Sequence, residues 1–134
     1  MQSNMRKEIL APGKVWDSKP LGFAHGITVE EGKKLVFVSG QNGIDANSKV
    51  VSDDFSTQCR KAYENLGEIL AAAGGKPTNV VRLTAYVTDI KDADAFVKIS
   101  GEFFKGDLCS QTLVEVSALA FPELKVELEA TAVL

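Results

Sequence analysis

Few side chains in this sequence are able to do chemistry, and their scarcity narrows the reaction classes. His25 is the only histidine, so a Ser-His-Asp or Cys-His arrangement has to include it, and its neighbours carry no nucleophile-elbow pattern. A metal site would need mostly carboxylates, at spacings the sequence does not offer, so no metal is expected. Cys59 and Cys109 are far apart with no CxxC, which suits a reducing compartment better than a disulfide framework. Among the acids, Glu127 and Glu129 alternate with apolar residues in LKVELEATAV and share a strand face with Lys125. A carboxylate there either belongs to a solvated, ion-paired face or moves a proton.

Hydrophobic periodicity gives the elements that must position these groups. Residues 26–40 read as a hairpin, GITV and LVFVSG around the turn-like EEGKK, and residues 6–10 as an additional strand. In LVFV both alternating sets are apolar, the mark of a strand buried on both sides. Residues 41–51 carry turn chemistry. A helix is predicted over 54–73, with Phe55, Cys59, Ala62, Leu66, Ile69, Leu70 and Ala73 at three- and four-residue steps, acidic cap-type residues at its start and Gly74 and Gly75 at its end. A strand over 81–87, a helix over 92–104, and strands over 111–117 and 124–133 complete the order β-β-α-β-α-β-β.

Two helices joined to a mixed sheet by short loops cover one face of it, an α+β two-layer sandwich. The other face is left with one apolar set of residues 35–38, Tyr86 or Leu83, and Leu113 or Val114, and nothing remains in the chain to cover it. Such a patch points to a homo-oligomer packed sheet against sheet.

At 134 residues and 14.4 kDa the chain has room for one domain, taken as 1–134. With 18 acids against 15 bases and no basic stripe, nucleic-acid binding is not expected. The apolar runs LVFV and ILAAA are too short for a bilayer, and MQSNMRKEIL lacks a signal-peptide pattern, so a cytoplasmic protein without membrane association is expected.

Three stretches, LVFVSGQ at 35–41, QCRKAYENLGEILAAAG at 58–74 leading into VVRLTAYVTDIKD at 80–92, and LVEVSALAFPELKVELEATAV at 113–133, resemble the RidA/YjgF family in order and spacing. The resemblance implies a chorismate-mutase-like α+β fold and a homotrimer with a small-molecule cleft between each pair of subunits. It implies hydrolysis there of carboxylate-bearing enamines or imines, such as 2-aminoacrylate and its imine tautomer, to the 2-keto acid and ammonia, with no cofactor.

Carried over by position, Glu127, first acid of VELE, falls on the water-handling glutamate, and Ser39 and Gly40 on the cleft-lining strand end. The arginine expected before the VEV strand is replaced by Gln111, with Cys109 two residues before it; the expected tyrosine is Phe23, and the expected asparagine Val97. Gln111 offers a hydrogen bond to a carboxylate without the charge of the guanidinium fork. The cleft residues implied are thus Glu127 as catalytic group and Phe23, Ser39, Gly40, Gln111 and Cys109 as substrate contacts. Cys109 as a nucleophile would need a depressed pKa, with Lys105 the nearby cation, and an inert thiol is the simpler reading. His25 reads as a surface residue that follows Phe23, and a neighbouring subunit's Lys105 or Arg82 is the candidate replacement for the arginine.

The leading functional reading is an enamine/imine deaminase-type hydrolase with activity altered by Gln111. The alternative is a non-catalytic trimer binding a small metabolite as sensor or carrier. The ribonuclease label attached to relatives of the family fits the acidic composition least.

Overall fold

The computed structural model describes residues 5–134. Strands β1 (Arg6–Leu10) and β2 (Gly26–Glu30) form an antiparallel ribbon. Strands β3 (Leu35–Asn42), β4 (Val80–Val87), β5 (Ser110–Glu115) and β6 (Val126–Val133) form a mixed sheet in the order β3-β6-β4-β5. Helices α1 (Phe55–Ala72) and α2 (Ala93–Phe104) lie on one face of it, as the α+β reading expected. The extra strand at 6–10 is present.

The hairpin over 26–40 is not. β2 pairs with β1, and β3 pairs with β6. The reversal between β2 and β3 is stitched to the C-terminus, because the amides of Lys33 and Lys34 donate to the Leu134 carbonyl at 2.8 and 3.2 Å and a Cβ at Gly32 would strike Val133.

Period-two alternation fixes the faces of the sheet. Val80, Leu83, Ala85 and Val87 of β4 and Val126, Leu128, Ala130 and Ala132 of β6 point to the helices and are buried. They meet Phe55, Cys59, Ala62, Leu66 and Leu70 of α1 and Phe96, Ile99 and Phe104 of α2. Burial of that stripe is what stabilises α1; its start is closed by the Asp54 carboxylate, which accepts from the Thr57 amide and hydroxyl at 2.9 and 2.8 Å. The same bonds hold the Asp54 carboxyl below its ordinary pKa. Gly74, at φ +86°, turns the chain away behind the helix.

Strand 35–38 departs from the expectation of burial on both sides. Val38 is buried, whereas Leu35 and Phe37 are 59% and 74% exposed on the open face of an edge strand. Of the alternatives for that face, Tyr86 and Val114 lie on it, while Leu83 and Leu113 turn to the core. The face is also more polar than expected, since it carries Arg82, Thr84, Thr112, Glu127, Glu129 and Thr131. Among the described residues no helix is long and apolar enough to cross a membrane.

Candidate functional site

Glu127 is placed by a β-bulge. The register between β3 and β6 slips between Val38 and Gln41, so Ser39 and Gly40 form extra backbone at the sheet edge and Asn42 stands opposite Glu127. The Glu127 side chain lies against Gly40, where any Cβ would collide with its carboxylate. Glycine there leaves the Glu127 carboxylate room for its observed position, which a larger residue would displace, and Ser39 beside it is exposed. Two residues on, Glu129 accepts from the Tyr86 hydroxyl at 2.5 Å, a bond that raises the tyrosine pKa. Among the described residues the Glu127 side chain makes neither a hydrogen bond nor an ion pair.

Phe23 and Gln111 are held at the opposite edge, beside β5. Gly22, at φ +80°, ends the turn Lys19–Leu21 and redirects the chain, and the buried Ser18 hydroxyl donates to the Phe23 carbonyl at 2.6 Å. The next residue, Ala24, bridges to Ser110 and donates to the Cys109 carbonyl at 2.9 Å. Gln111 Nε2 reaches the Gly22 carbonyl at 3.4 Å. Phe23 packs edge-to-face on Trp16 and His25, with centroids 5.8 and 5.6 Å away, and His25 Nε2 donates to the Trp16 carbonyl at 2.7 Å. His25 is therefore part of an aromatic cluster and half-buried rather than a free surface residue.

One chain does not bring the two groups together. Gln111 pairs with Leu83, which pairs with Ala130, three residues from Glu127 on the second strand over. Strand spacing and rise put the two Cα atoms about 14 Å apart, and the two side chains leave opposite faces of the sheet.

Cys109 does not line a cleft. It is fully buried, and burial pushes its thiol up to about 12; the cations opposing that shift are Lys7 and Arg82, not the expected Lys105. Cys59, in the core beneath α1, is likewise pushed up to about 12 by burial. Burial thus disfavours the thiolate at neutral pH for both. Iodoacetamide at pH 8 is expected to leave both cysteines unmodified in the folded protein and to alkylate both in guanidinium, read by intact mass; labelling of native Cys109 would contradict its burial.

Neither proposed replacement cation reaches Gln111 from its own chain. Lys105 forms the left-handed cap of α2, at φ +52°, and is exposed. Arg82 stands on the open face, its guanidinium donating to Ser110 Oγ at 3.0 Å and Thr112 Oγ1 at 2.7 Å. Val97, at the expected asparagine, packs against the core and offers no side-chain donor. Sequence reasoning missed Trp16 and the fully buried Gln58; the second was signalled by an amide inside the apolar stripe of α1.

The class so defined is a two-layer α+β protein with a four-stranded mixed sheet, chemical groups at both sheet edges and an open sheet face. Comparison with known proteins gives the same answer. The endoribonuclease L-PSP family profile matches residues 22–134. The human 2-iminobutanoate/2-iminopropanoate deaminase is 35% identical over 101 residues, covering 75% of this chain and 73% of that protein. A RutC family protein of Pyrococcus abyssi is 32% identical over 130 residues, 96% of this chain and 98% of its own. A Yersinia pestis protein of the conserved Rid family, of unknown function, superposes with a TM-score of 0.88 at 34% identity, covering 96% of this chain and 98% of that one. The chain belongs to the endoribonuclease L-PSP family, the RidA/YjgF family of the resemblance.

Proposed function

We propose that this protein is a cofactor-independent hydrolase of reactive enamine or imine metabolites, acting in clefts between the subunits of a homotrimer. The observation that carries the reading is the division of the site: Glu127 with Gly40 at the β3 edge, Phe23 with Gln111 at the β5 edge, too far apart within one chain to touch one small molecule. Contact of one copy's β3 edge with the next copy's β5 edge is head-to-tail, and when its rotation closes after three copies each junction of the ring joins the two halves. The exposed Leu35 and Phe37 on the open face favour such an assembly, and the relatives named as iminobutanoate/iminopropanoate deaminases favour the reaction.

In the reaction proposed, the enamine tautomerises to the imine and a water oxygen adds to the C=N carbon. The C–N bond then breaks, and ammonia leaves with a keto group on the remaining carbon. Glu127 takes a proton from the attacking water and passes it to the imine nitrogen, and then carries the hydroxyl proton of the resulting adduct to the same nitrogen, so that NH3 departs as the C=O forms. Phe23 packs on the substrate, and Gln111 donates to its carboxylate.

Gln111 also favours a second reading, a trimer that binds a metabolite without turning it over. A neutral amide forfeits a charge-assisted pair worth roughly 2–3 kcal/mol in a partly buried cleft. The test is release of 2-keto acid from freshly generated 2-aminoacrylate. Wild type is expected to turn it over, and Gln111→Arg to raise kcat/KM by about 10–100-fold, mostly through KM. No turnover by either protein would leave the binding reading in possession. Light scattering is expected to give three times the mass of the 14.4 kDa chain, and a monomer would remove the divided cleft.

A further inference from the structure

The N-terminal segment builds something that the proposed reaction on a small imine does not use. Residues 9–13 and 15–19, which precede the family match beginning at residue 22, wall a cavity of about 420 Å³ together with Phe23, Ala24, His25 and Leu108. That volume is in the range of small-molecule sites. Its lining is mixed: Leu10, Val15, Trp16, Phe23 and Leu108 form an apolar part beside the polar Asp17, Ser18, Lys19 and His25, and His25, tied to the Trp16 carbonyl, holds the indole edge-to-face with centroids 4.7 Å apart.

The wall is anchored rather than loose. Lys7 on β1 inserts its ammonium between the carbonyls of Thr78 at 2.9 Å and Val80 at 3.3 Å and the Asp107 carboxylate, with its side chain only 10% exposed. These bonds fasten the ribbon to the β4 start and to the loop leading into β5. The cavity also abuts the Gln111 half of the site, because Phe23 belongs to both and Gln111 reaches the carbonyl of Gly22, the residue before it.

We infer that this cavity takes the apolar side chain of the substrate, so that the preferred imine carries a branched aliphatic or aromatic group rather than a methyl. The inference rests on the imine-hydrolase reading and names its substrate class. Without a guanidinium at position 111, the carboxylate end contributes less to binding. The cavity supplies the missing recognition through apolar burial, which a methyl group cannot exploit.

Trp16 is the only tryptophan, so its emission reports the cavity directly. Wild-type protein is titrated with two unreactive 2-keto acids, pyruvate and 4-methyl-2-oxopentanoate, and Kd is read from Trp16 fluorescence and from calorimetry. The branched acid is expected to bind about 10–50-fold more tightly, the ratio that burying three further carbons gives. Trp16→Ala, read by calorimetry, is expected to shrink that ratio at least severalfold. In parallel, the imines formed in place from L-alanine and L-leucine by an amino-acid oxidase are followed for keto-acid release, with the same preference expected in kcat/KM. Equal affinity for the two acids, or a ratio that Trp16→Ala leaves unmoved, overturns the inference. Hydrolysis of both imines without preference overturns it while sparing the hydrolase reading. Tighter binding of the branched acid with neither imine hydrolysed supports the cavity's assignment to an apolar side chain and sinks the hydrolase reading instead.

Discussion

Replacing Glu127 by glutamine is expected to lower turnover of an imine substrate by about 10²–10⁴-fold, the range for removing a positioned acid-base group, with thermal stability and assembly unchanged. The expectation follows from its surroundings. The Glu127 side chain lies against the bulge backbone at Gly40 and has no partner among the described residues, so no internal ion pair is lost with it. Glutamine matches its size and still fits above Gly40, but it accepts no proton from water. Glu129 is an inadequate substitute although it is only two residues away. Its carboxylate is engaged by the Tyr86 hydroxyl, and two residues of strand rise displace it by roughly 6–7 Å. Glu129→Gln is therefore the control, expected to move kcat by less than about threefold. If Glu127→Gln lost only KM and kept kcat, the residue would be a binding group and the proton would need another carrier.

Much of the fold was legible because period is a local signal. β4 and β6 alternate cleanly, and the apolar stripe of α1 repeats at helical spacing, so each element was found within a residue or two of its observed bounds. Pairing is not local. GITV and LVFV read as a hairpin because five residues separate them, yet the partner of each strand is chosen by distant groups: the Leu134 carbonyl for the turn, β6 for LVFV, β1 for GITV. The double apolar character of Leu35–Val38 was visible, but it marked a surface left open in one chain rather than an interior.

The site was legible by position and illegible in its geometry. Glu127 and Gly40 were singled out separately; their contact arises from a bulge that slips the register at Ser39, which alternation does not announce. Cys109, two residues before Gln111, was expected beside the substrate, but the strand parity and the Ala24 bridge turn its thiol into the core. Phe23 follows Gly22, whose carbonyl Gln111 reaches, while its partners Trp16 and His25 come from a segment whose only sequence signal was its aromatic content.

Gln58→Leu is expected to cost about 3–4 kcal/mol of stability and to lower Tm by roughly 10–15 °C, although leucine nearly matches glutamine in volume. Gln58 is fully buried in the apolar stripe of α1, and its amide makes three bonds to backbone: Nε2 to the carbonyls of Ser52 at 2.8 Å and Glu123 at 2.9 Å, and the Lys125 amide to Oε1 at 2.9 Å. Gly43 packs directly on its backbone, where a Cβ would come within 2.8 Å of the Gln58 Cα, so the helix is pressed close at this point. Leucine would fill the space and leave two carbonyls and one amide without partners, each costing roughly 1 kcal/mol or more. Gln58→Glu should be worse at neutral pH, because it aims a buried carboxylate at two carbonyls. The loop so released ends at Lys125, two residues before Glu127, so the same variants should lose kcat as well as stability. A thermal melt of Gln58→Leu within 3 °C of wild type would show that water replaces the amide, and the aim of Glu127 would then have to be set by the β3 bulge alone.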